Sequence, residues 1–220
     1  MKYIILFIGI FMMKNLYANG ESFDIKIGNV TLSVAIPDAR TGRAPDIPLQ
    51  KYFDICEWLK DENNQKQDAQ KELLRKVWEF KKFLKAPTGS FVFTVSVVKV
   101  NGFENNLKRY YDDVAEATLQ NLKSMADRGY TDHNYTPAEG YEELTIDGQL
   151  WMRYFADNKS AMYYRTFIGD GLVLRLNLLQ SDSRKNAVKG EWHPKADSLA
   201  KIIVESIKLN SPKNGQLCDC

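Results

Sequence analysis

The stretch from Tyr141 to Gln180, YEELTIDGQLWMRYFADNKSAMYYRTFIGDGLVLRLNLLQ, decides the fold class. Three short turn-forming segments divide it: Asp147-Gly148, Asp157-Asn158 and Gly169-Asp170-Gly171. The pieces between them are rich in aromatic and branched residues, which favour strands, and Asp-Gly is a frequent hairpin turn. The stretch therefore predicts an antiparallel meander of four strands, at 141–146, 149–156, 161–168 and 171–180.

Three further strands are predicted in the first half of the chain. Apolar and polar residues alternate from Phe23 to Ile27 and again from Val30 to Ile36, and Gly28-Asn29 separates the two runs. This pattern is typical of a β-hairpin. The segment Ser90 to Val100, SFVFTVSVVKV, is so rich in Phe and Val that it predicts a well-buried strand.

Four helices are predicted from apolar residues at helical spacing. They run from Leu49 to Leu59, from Ala69 to Leu84, from Leu107 to Met125, and from Pro194, which suits a first helical turn, to Ile207. Antiparallel hairpins with segregated helices predict an α+β fold rather than a doubly wound α/β fold.

The first 18 residues have the pattern of a secretory signal peptide. Lys2 precedes the apolar run IILFIGIFMM at 4–13, and Ala18 supplies a small residue for cleavage. The rival interpretation is an uncleaved anchor, but the run is shorter than the ~20 apolar residues that a spanning helix needs. We therefore expect export to the periplasm or medium, a single domain at 19–210 and a flexible tail at 211–220. No stable membrane insertion is expected after cleavage.

The charge balance argues against a nucleic-acid partner. The chain has 30 Lys and Arg against 28 Asp and Glu. The leader contains Lys2 and Lys14 and no acidic residue, so the mature chain is formally neutral. Nucleic-acid binding depends on many contacts between basic side chains and phosphates.

Three cysteines, Cys56, Cys218 and Cys220, would reach a compartment that permits disulfides. Cys56 can pair with Cys218 or Cys220, which would tie the tail to the first helix. A Cys218–Cys220 bond would close a very small, strained ring. The remaining alternative is a buried, unpaired Cys56 with two tail thiols. A metal site at the Cys218-Asp219-Cys220 tail is disfavoured because metal sites normally need four ligands.

No familiar catalytic or metal-binding motif occurs in the chain. The only histidines are His133, beside Asp132, and His193, before Pro194. Neither belongs to a metalloprotease, hydrolase or phosphate-loop pattern. We therefore expect no cofactor, no bound metal and no catalytic residues.

Two regions are candidates for binding. The first is the loop at 37–48, PDARTGRAPDIP, in which prolines stiffen the chain around Arg40 and Arg43. The alternative is a solvated connection. The second is the meander, where alternation groups side chains on the same face of each strand. These groups are Trp151, Arg153 and Phe155; Tyr163, Arg165 and Phe167; and Val173 and Arg175.

The meander groups have two interpretations. If the arginines of neighbouring strands align, they form an arginine–aromatic surface for a partner or an anionic ligand. Otherwise, the aromatic rings belong to the core and the arginines pair with acids such as Glu143 and Glu205. A one-residue change of register reverses the alignment, so the sequence leaves both open.

The order of elements resembles the PsbP/DcrB-like (Mog-type) superfamily. The resemblance spans Phe23 to Leu209 and rests on five segments: FDIKIGNVTLSVAIP, LTIDGQLWMRYFA, YYRTFI, LVLRLNLL and IIVESIKL. It implies an α/β/α sandwich around a mainly antiparallel sheet. It also implies a non-enzymatic protein that binds other proteins or assists assemblies, with no catalytic residues to carry over.

Three function hypotheses follow. The first is an exported interaction protein with a protein partner, such as a periplasmic immunity or inhibitor protein or an envelope assembly factor. The second is a small-ligand-binding protein, with Trp151, Tyr163, Tyr164 and the meander arginines lining a pocket. The third, an enzyme without a familiar motif, would place His133 beside a carboxylate in a cleft.

Overall fold

A computed structural model describes residues 21–37, 50–66, 68–81, 87–103, 105–127, 140–156, 160–169, 171–182, 192–211 and 217–218. The expected signal peptide at 1–18 lies outside the described residues. So do Arg40 and Arg43 of the candidate loop, His133 and Cys220.

The predicted N-terminal hairpin is confirmed. Strands β1 (Glu21–Ile27) and β2 (Val30–Ile36) pair antiparallel, with Ile27 opposite Val30 across the Gly28-Asn29 turn. Two short strands complete a four-stranded sheet in the order β10-β2-β1-β3. These are β3 (Tyr52–Phe53), parallel to β1, and β10 (Lys208–Asn210), antiparallel to β2. Residues from both halves of the chain therefore build this small sheet.

The predicted meander is also confirmed and forms most of a larger, six-stranded antiparallel sheet. Its strands follow the order β4-β5-β9-β8-β7-β6. Their bounds are β4 (Gln70–Lys81), β5 (Pro87–Lys99), β6 (Glu142–Ile146), β7 (Gln149–Ala156), β8 (Ala161–Gly169) and β9 (Leu172–Asp182).

The helix predicted from Ala69 to Leu84 is wrong, because this segment contains strand β4. A bulge between Glu72 and Leu74 turns the adjacent Leu73 and Leu74 both into the interior. The strand also buries Val77 and its neighbour Trp78, which point to opposite faces. The bulge and the two buried faces produce an apolar spacing that resembles that of a helix.

The helix predicted from Leu49 to Leu59 is shorter than expected. Helix α1 spans Ile55–Lys60, and Tyr52–Phe53 before it belongs to β3. Asp54 caps the helix, because its Oδ1 accepts a hydrogen bond of 2.9 Å from the Glu57 N–H. The other two predicted helices are confirmed as α2 (Leu107–Asp127) and α3 (His193–Ser206), with Pro194 in the first turn of α3.

These elements make a layered α+β structure around the large sheet. One face packs against the first turns of α2, through Leu107, Tyr110 and Tyr111. The opposite face shares a continuous apolar core with α3 and the small sheet. The predicted sandwich of helices around a mainly antiparallel sheet is therefore present, and the small sheet adds to one outer layer.

The end of the chain returns to the first hairpin. Cys56 in α1 and Cys218 form a disulfide with a Cα–Cα distance of 5.8 Å. Leu217 is fully buried, and its carbonyl oxygen accepts a 3.0 Å hydrogen bond from the Asn29 N–H. Of the pairings left open by the sequence, the structure contains Cys56–Cys218.

Candidate functional site

The α2 face of the large sheet carries two arginines from neighbouring strands. Arg165 on β8 is the direct Cα partner of Arg175 on β9, and Arg175 is in turn the partner of Ser96 on β5. Directly opposed residues project to the same side of a sheet. Ser96, Arg175 and Arg165 therefore form a row across three adjacent strands.

Arg165 is almost completely buried, with 4% of its surface exposed. Its Nη1 donates hydrogen bonds to the carbonyl oxygens of Tyr164, at 2.8 Å, and Leu176, at 3.0 Å. Its guanidinium lies over the rings of Tyr154 and Tyr163, at 5.5 and 5.0 Å from their centroids. Its buried Nε has no hydrogen-bond partner. The backbone thus fixes one edge of this guanidinium and leaves another edge unsatisfied.

Arg175 is half-buried and is held by a tyrosine of α2. Its Nε donates a 2.9 Å hydrogen bond to the Tyr110 hydroxyl oxygen. Burial raises the pKa of Tyr110, against a smaller lowering effect of the positive charges of Arg175 and Arg165. The hydroxyl therefore stays protonated at neutral pH, so it accepts from Arg175 and keeps its own proton to donate.

Within the described part of the chain, no carboxylate forms an ion pair with Arg165 or Arg175. The acidic side chains pair elsewhere, for example Glu72 with Arg75 at 2.6 Å. Burial of a charge without an opposite charge is unfavourable. The two neighbouring guanidinium groups therefore create a strong local preference for negative charge.

Other polar atoms on the same face are also buried without partners. They are the Ser96 Oγ, the Asn177 Oδ1 and the Glu72 Oε1. Asn177 lies two residues beyond Arg175, and Glu72 is the cross-strand partner of Ser96, so both share the row's side of the sheet. Buried polar atoms normally have hydrogen-bond partners, so a group of them without any requires an explanation, and a bound ion is one. We call Ser96, Tyr110, Arg165, Arg175 and Asn177 the arginine cluster.

The predicted site residues divide between the two faces of the sheet. Arg153 is the partner of Tyr164, on the face opposite Arg165 and Arg175, and its Nε donates to the Glu142 Oε2 at 3.1 Å. Trp151 is fully buried and Tyr164 nearly so, in the core that α3 covers. Tyr163 is half-buried beside Arg165. The structure therefore aligns two of the three meander arginines and separates the third from them.

The burial of these residues limits what could bind at the arginine–aromatic surface that the sequence suggested for the meander. Trp151 and Arg165 are buried, so a large partner cannot reach them in this conformation. The arginine cluster is instead a largely buried group of polar side chains between the sheet and α2.

Sequence reasoning missed Ser96, Asn177 and Tyr110. Thr94 and Ser96 are polar residues two apart in the strand SFVFTVSVVKV, which is otherwise mostly apolar, so they mark one polar strip on a buried strand. This polar strip could have identified Ser96 as a candidate site residue from the sequence alone. Tyr110 gave none, because a tyrosine at helical spacing is normally a core residue.

A cleft of about 420 Å³ lies near the start of α2. Its lining includes Phe103, Phe167 and Gly171. The rings of Phe103 and Phe167 both pack on Tyr110, with centroid distances of 5.6 and 6.1 Å. The cleft therefore borders the arginine cluster through these two rings.

The described residues lack two further features, a metal-binding group and a membrane-spanning helix. They contain no group of three or more His, Cys, Asp or Glu side chains arranged to hold a metal ion. None of their helices combines the length and the apolar character that crossing a membrane requires. His193 stacks on Trp192 at the start of α3, away from the arginine cluster.

Comparisons with protein-family models, curated proteins and solved structures give no match to this chain.

Proposed function

We propose that this chain is an exported, non-enzymatic binding protein that holds a small polar ligand at the arginine cluster. The observation that carries the proposal is the concentration of unsatisfied polarity on one sheet face. The Nε of Arg165, the Oγ of Ser96 and the Oδ1 of Asn177 are buried there without partners. A ligand that supplies those hydrogen bonds would recover the free energy lost by burying these groups.

A binding role fits the chemistry of these groups better than a catalytic one. Arginine and serine at these positions bind and orient a ligand, and the protonated Tyr110 adds a further donor. General acid–base catalysis would need a group that titrates near neutral pH within reach of the ligand. The cluster as defined contains no histidine.

Export is part of the proposal and rests on the leader-like segment at 1–18. The pair Cys56–Cys218 supports it, since disulfides persist mainly in oxidising compartments. The hypothesis of a protein partner stays a prediction for the loop at 37–48, most of which lies outside the described residues. The resemblance to the PsbP/DcrB-like superfamily likewise stays a prediction.

The test is native mass spectrometry of the protein made with its own leader and purified from the extracytoplasmic fraction without added ligand. We expect the native mass to exceed the denatured mass by one small molecule, and the chain to begin near residue 19. The matched control is Arg153→Gln, which changes an arginine of the same meander on the opposite face and should keep the extra mass. Equal native and denatured masses, together with no thermal stabilisation by a metabolite library, would refute the proposal.

A further inference from the structure

We propose that the ligand of the arginine cluster carries a compact oxyanion group, bound between Arg165 and Arg175. This inference rests on the proposed binding function and specifies the chemistry that the site selects. A carboxylate and a tetrahedral phosphate or sulfate share this chemistry, since each offers two or more oxygen acceptors on a small anionic centre.

The hydrogen bonds of Arg165 determine which of its edges is available. Nη1 donates its hydrogen bonds to two backbone carbonyl oxygens, and these bonds fix the plane of the guanidinium. The Nε is buried without a partner, and Nη2 makes no hydrogen bond to the described residues. The Nε–Nη2 edge is one of the two edges with which arginine binds a pair of oxygen atoms. Because the side chain is already held in place, little conformational entropy remains to be lost on binding.

Arg175 presents the complementary donors. The Tyr110 hydroxyl holds its Nε, and its two Nη atoms make no hydrogen bond within the described structure. Because Arg175 and Arg165 are direct cross-strand partners, their Cα atoms lie about 4.5–5.5 Å apart. Both side chains leave the same face of the sheet, and both positive charges act on the Tyr110 hydroxyl, so the proposed oxyanion would lie between the two guanidinium groups.

Two neighbouring hydroxyls also favour an acceptor-rich ligand, whereas the Asn177 Oδ1 and the Glu72 Oε1 need a donor from another part of the ligand. Ser96, on the other side of Arg175, has a buried hydroxyl without a partner, and the Tyr110 hydroxyl keeps its proton available. Water could satisfy these hydroxyls, but it would not compensate the two positive charges. An anion does both.

A β-bulge is what brings the two arginines together. At the end of the hairpin Gly169 faces Leu172, whereas beyond the irregularity Phe167 faces Val173. Without this shift of one residue, Arg165 would oppose Leu176 and lie on the face opposite Arg175. Bulges often re-aim side chains at functional sites.

The experiment measures thermal unfolding and calorimetric binding with three probes: inorganic phosphate, sulfate and acetate, each at ionic strength matched with sodium chloride. The wild-type protein and the variants Arg165→Gln, Arg175→Gln and Arg153→Gln are compared. Comparison among variants removes the general stabilisation that sulfate and phosphate give to most proteins. Arg165→Lys keeps the charge and removes the planar fork.

We expect at least one anion to bind the wild type and the Arg153→Gln variant equally. Its affinity should fall at least about tenfold in Arg165→Gln and in Arg175→Gln, and clearly in Arg165→Lys. A preference for acetate would identify a carboxylate ligand, and a preference for phosphate or sulfate a tetrahedral one. If one variant fails to fold, the other carries the test, because each contacts the anion directly.

Three outcomes would overturn the inference. The first is the same anion response in the wild type and in both cluster variants. The second is a co-purified ligand that is neutral or cationic, which would leave the proposed binding function standing and remove only the oxyanion. Absence of any ligand in both experiments would refute the binding function as well.

Discussion

At the scale of single residues, adjacent positions on β7 differ sharply in burial. Trp151 is completely buried, whereas Leu150, one position earlier on the same strand, is 47% exposed. Successive side chains of a strand point to opposite faces: Trp151 faces the core shared with α3, whereas Leu150 lies on the α2 side, beside the buried Met152 but near the start of the strand. The same alternation places Arg153 on the face opposite Arg165.

We predict that Trp151→Ala lowers the free energy of unfolding by about 3–5 kcal/mol, the usual cost of truncating a buried aromatic residue. Leu150→Ala should cost less than about 1 kcal/mol, because little buried contact is lost. Urea denaturation of both variants measures the difference. Similar losses for the two variants would contradict the burial of Trp151 and the exposure of Leu150.

Tyr110 gives a second prediction at this scale. Tyr110→Phe leaves the Nε of Arg175 without its partner, so we expect a loss of about 1–3 kcal/mol at neutral pH. Tyr52→Phe is the matched control, since Tyr52 is 54% exposed and its hydroxyl should contribute less than about 0.5 kcal/mol. Urea denaturation at pH 7 compares them.

We also expect Tyr110→Phe to change how the free energy of unfolding depends on pH in the alkaline range. Burial raises the pKa of Tyr110 above its value of about 10 in the unfolded chain. The stability that this shift contributes is fully present below pH 10 and is lost as the pH rises through the folded pKa. Between these pH values, the wild type should lose up to ~1.4 kcal/mol per pH unit more than Tyr110→Phe. Parallel stability curves from pH 9 to 11 would argue against a buried, protonated hydroxyl.

At the scale of elements, the sequence predicted the hairpins reliably and failed at β4. Turn residues such as Gly28-Asn29 and Asp147-Gly148 act locally, so both turns could be recognised without tertiary information. In contrast, β4 contains Lys, Glu, Leu and Arg, which favour helices, and its buried residues are spaced by a bulge. Pairing along β5 outweighs this intrinsic preference, and pairing between distant segments is not visible in a local pattern.

The candidate site was only half predictable for a related reason. Alternation within each strand correctly grouped Tyr163 with Arg165, but the alignment between strands depends on loop lengths and bulges. Residues 157–160 connect β7 to β8, and this even-numbered connection places Arg153 opposite Tyr164. The bulge after Phe167 then aligns Arg165 with Arg175. Neither feature has a clear signature in the sequence.

Gly28, in the turn of the first hairpin, allows a test of the contact between this turn and Leu217. Gly28 has a φ of +56°, and a Cβ atom there would lie 2.4 Å from the Leu217 carbonyl oxygen. Gly148 has a φ of +79° in the corresponding turn of the β6–β7 hairpin, and a Cβ there would meet nothing within 4 Å. Both Ala variants should incur the cost of a left-handed conformation, about 1–2 kcal/mol.

Gly28→Ala should cost about 1–3 kcal/mol more than Gly148→Ala, since it also pushes Leu217 away from the hairpin. Chemical denaturation of both variants tests this difference. Equal costs would mean that Leu217 does not dock against the turn. The comparison therefore separates the close packing of Leu217 and Ile55 against this turn from the intrinsic strain of the turn, since a Cβ at Gly28 would also lie 2.8 Å from the Ile55 Cγ2.

At the scale of the whole molecule, the small sheet and the disulfide join segments of the first 60 residues to segments after residue 207. β10 pairs with β2, and the Ala35 N–H donates a 2.8 Å hydrogen bond to the Ser206 Oγ just before β10. Cys56 and Cys218 are separated by 162 residues in sequence. A cross-link across so long a loop strongly restricts the unfolded chain, so its entropic contribution is expected to be near the upper end of the usual range.

We therefore predict that Cys218→Ser lowers the free energy of unfolding by about 2–5 kcal/mol under non-reducing conditions. Cys220→Ser is the matched control, two residues further along the same tail, and it should leave the stability unchanged. Urea denaturation measures both variants, and peptide mapping after alkylation of free thiols should find Cys56 linked to Cys218. A large loss in Cys220→Ser with none in Cys218→Ser would show that the tail is tied through the other cysteine. Reduction of the wild type should reproduce the loss seen in Cys218→Ser, because both remove the same constraint while Leu217 and β10 continue to cover the first hairpin.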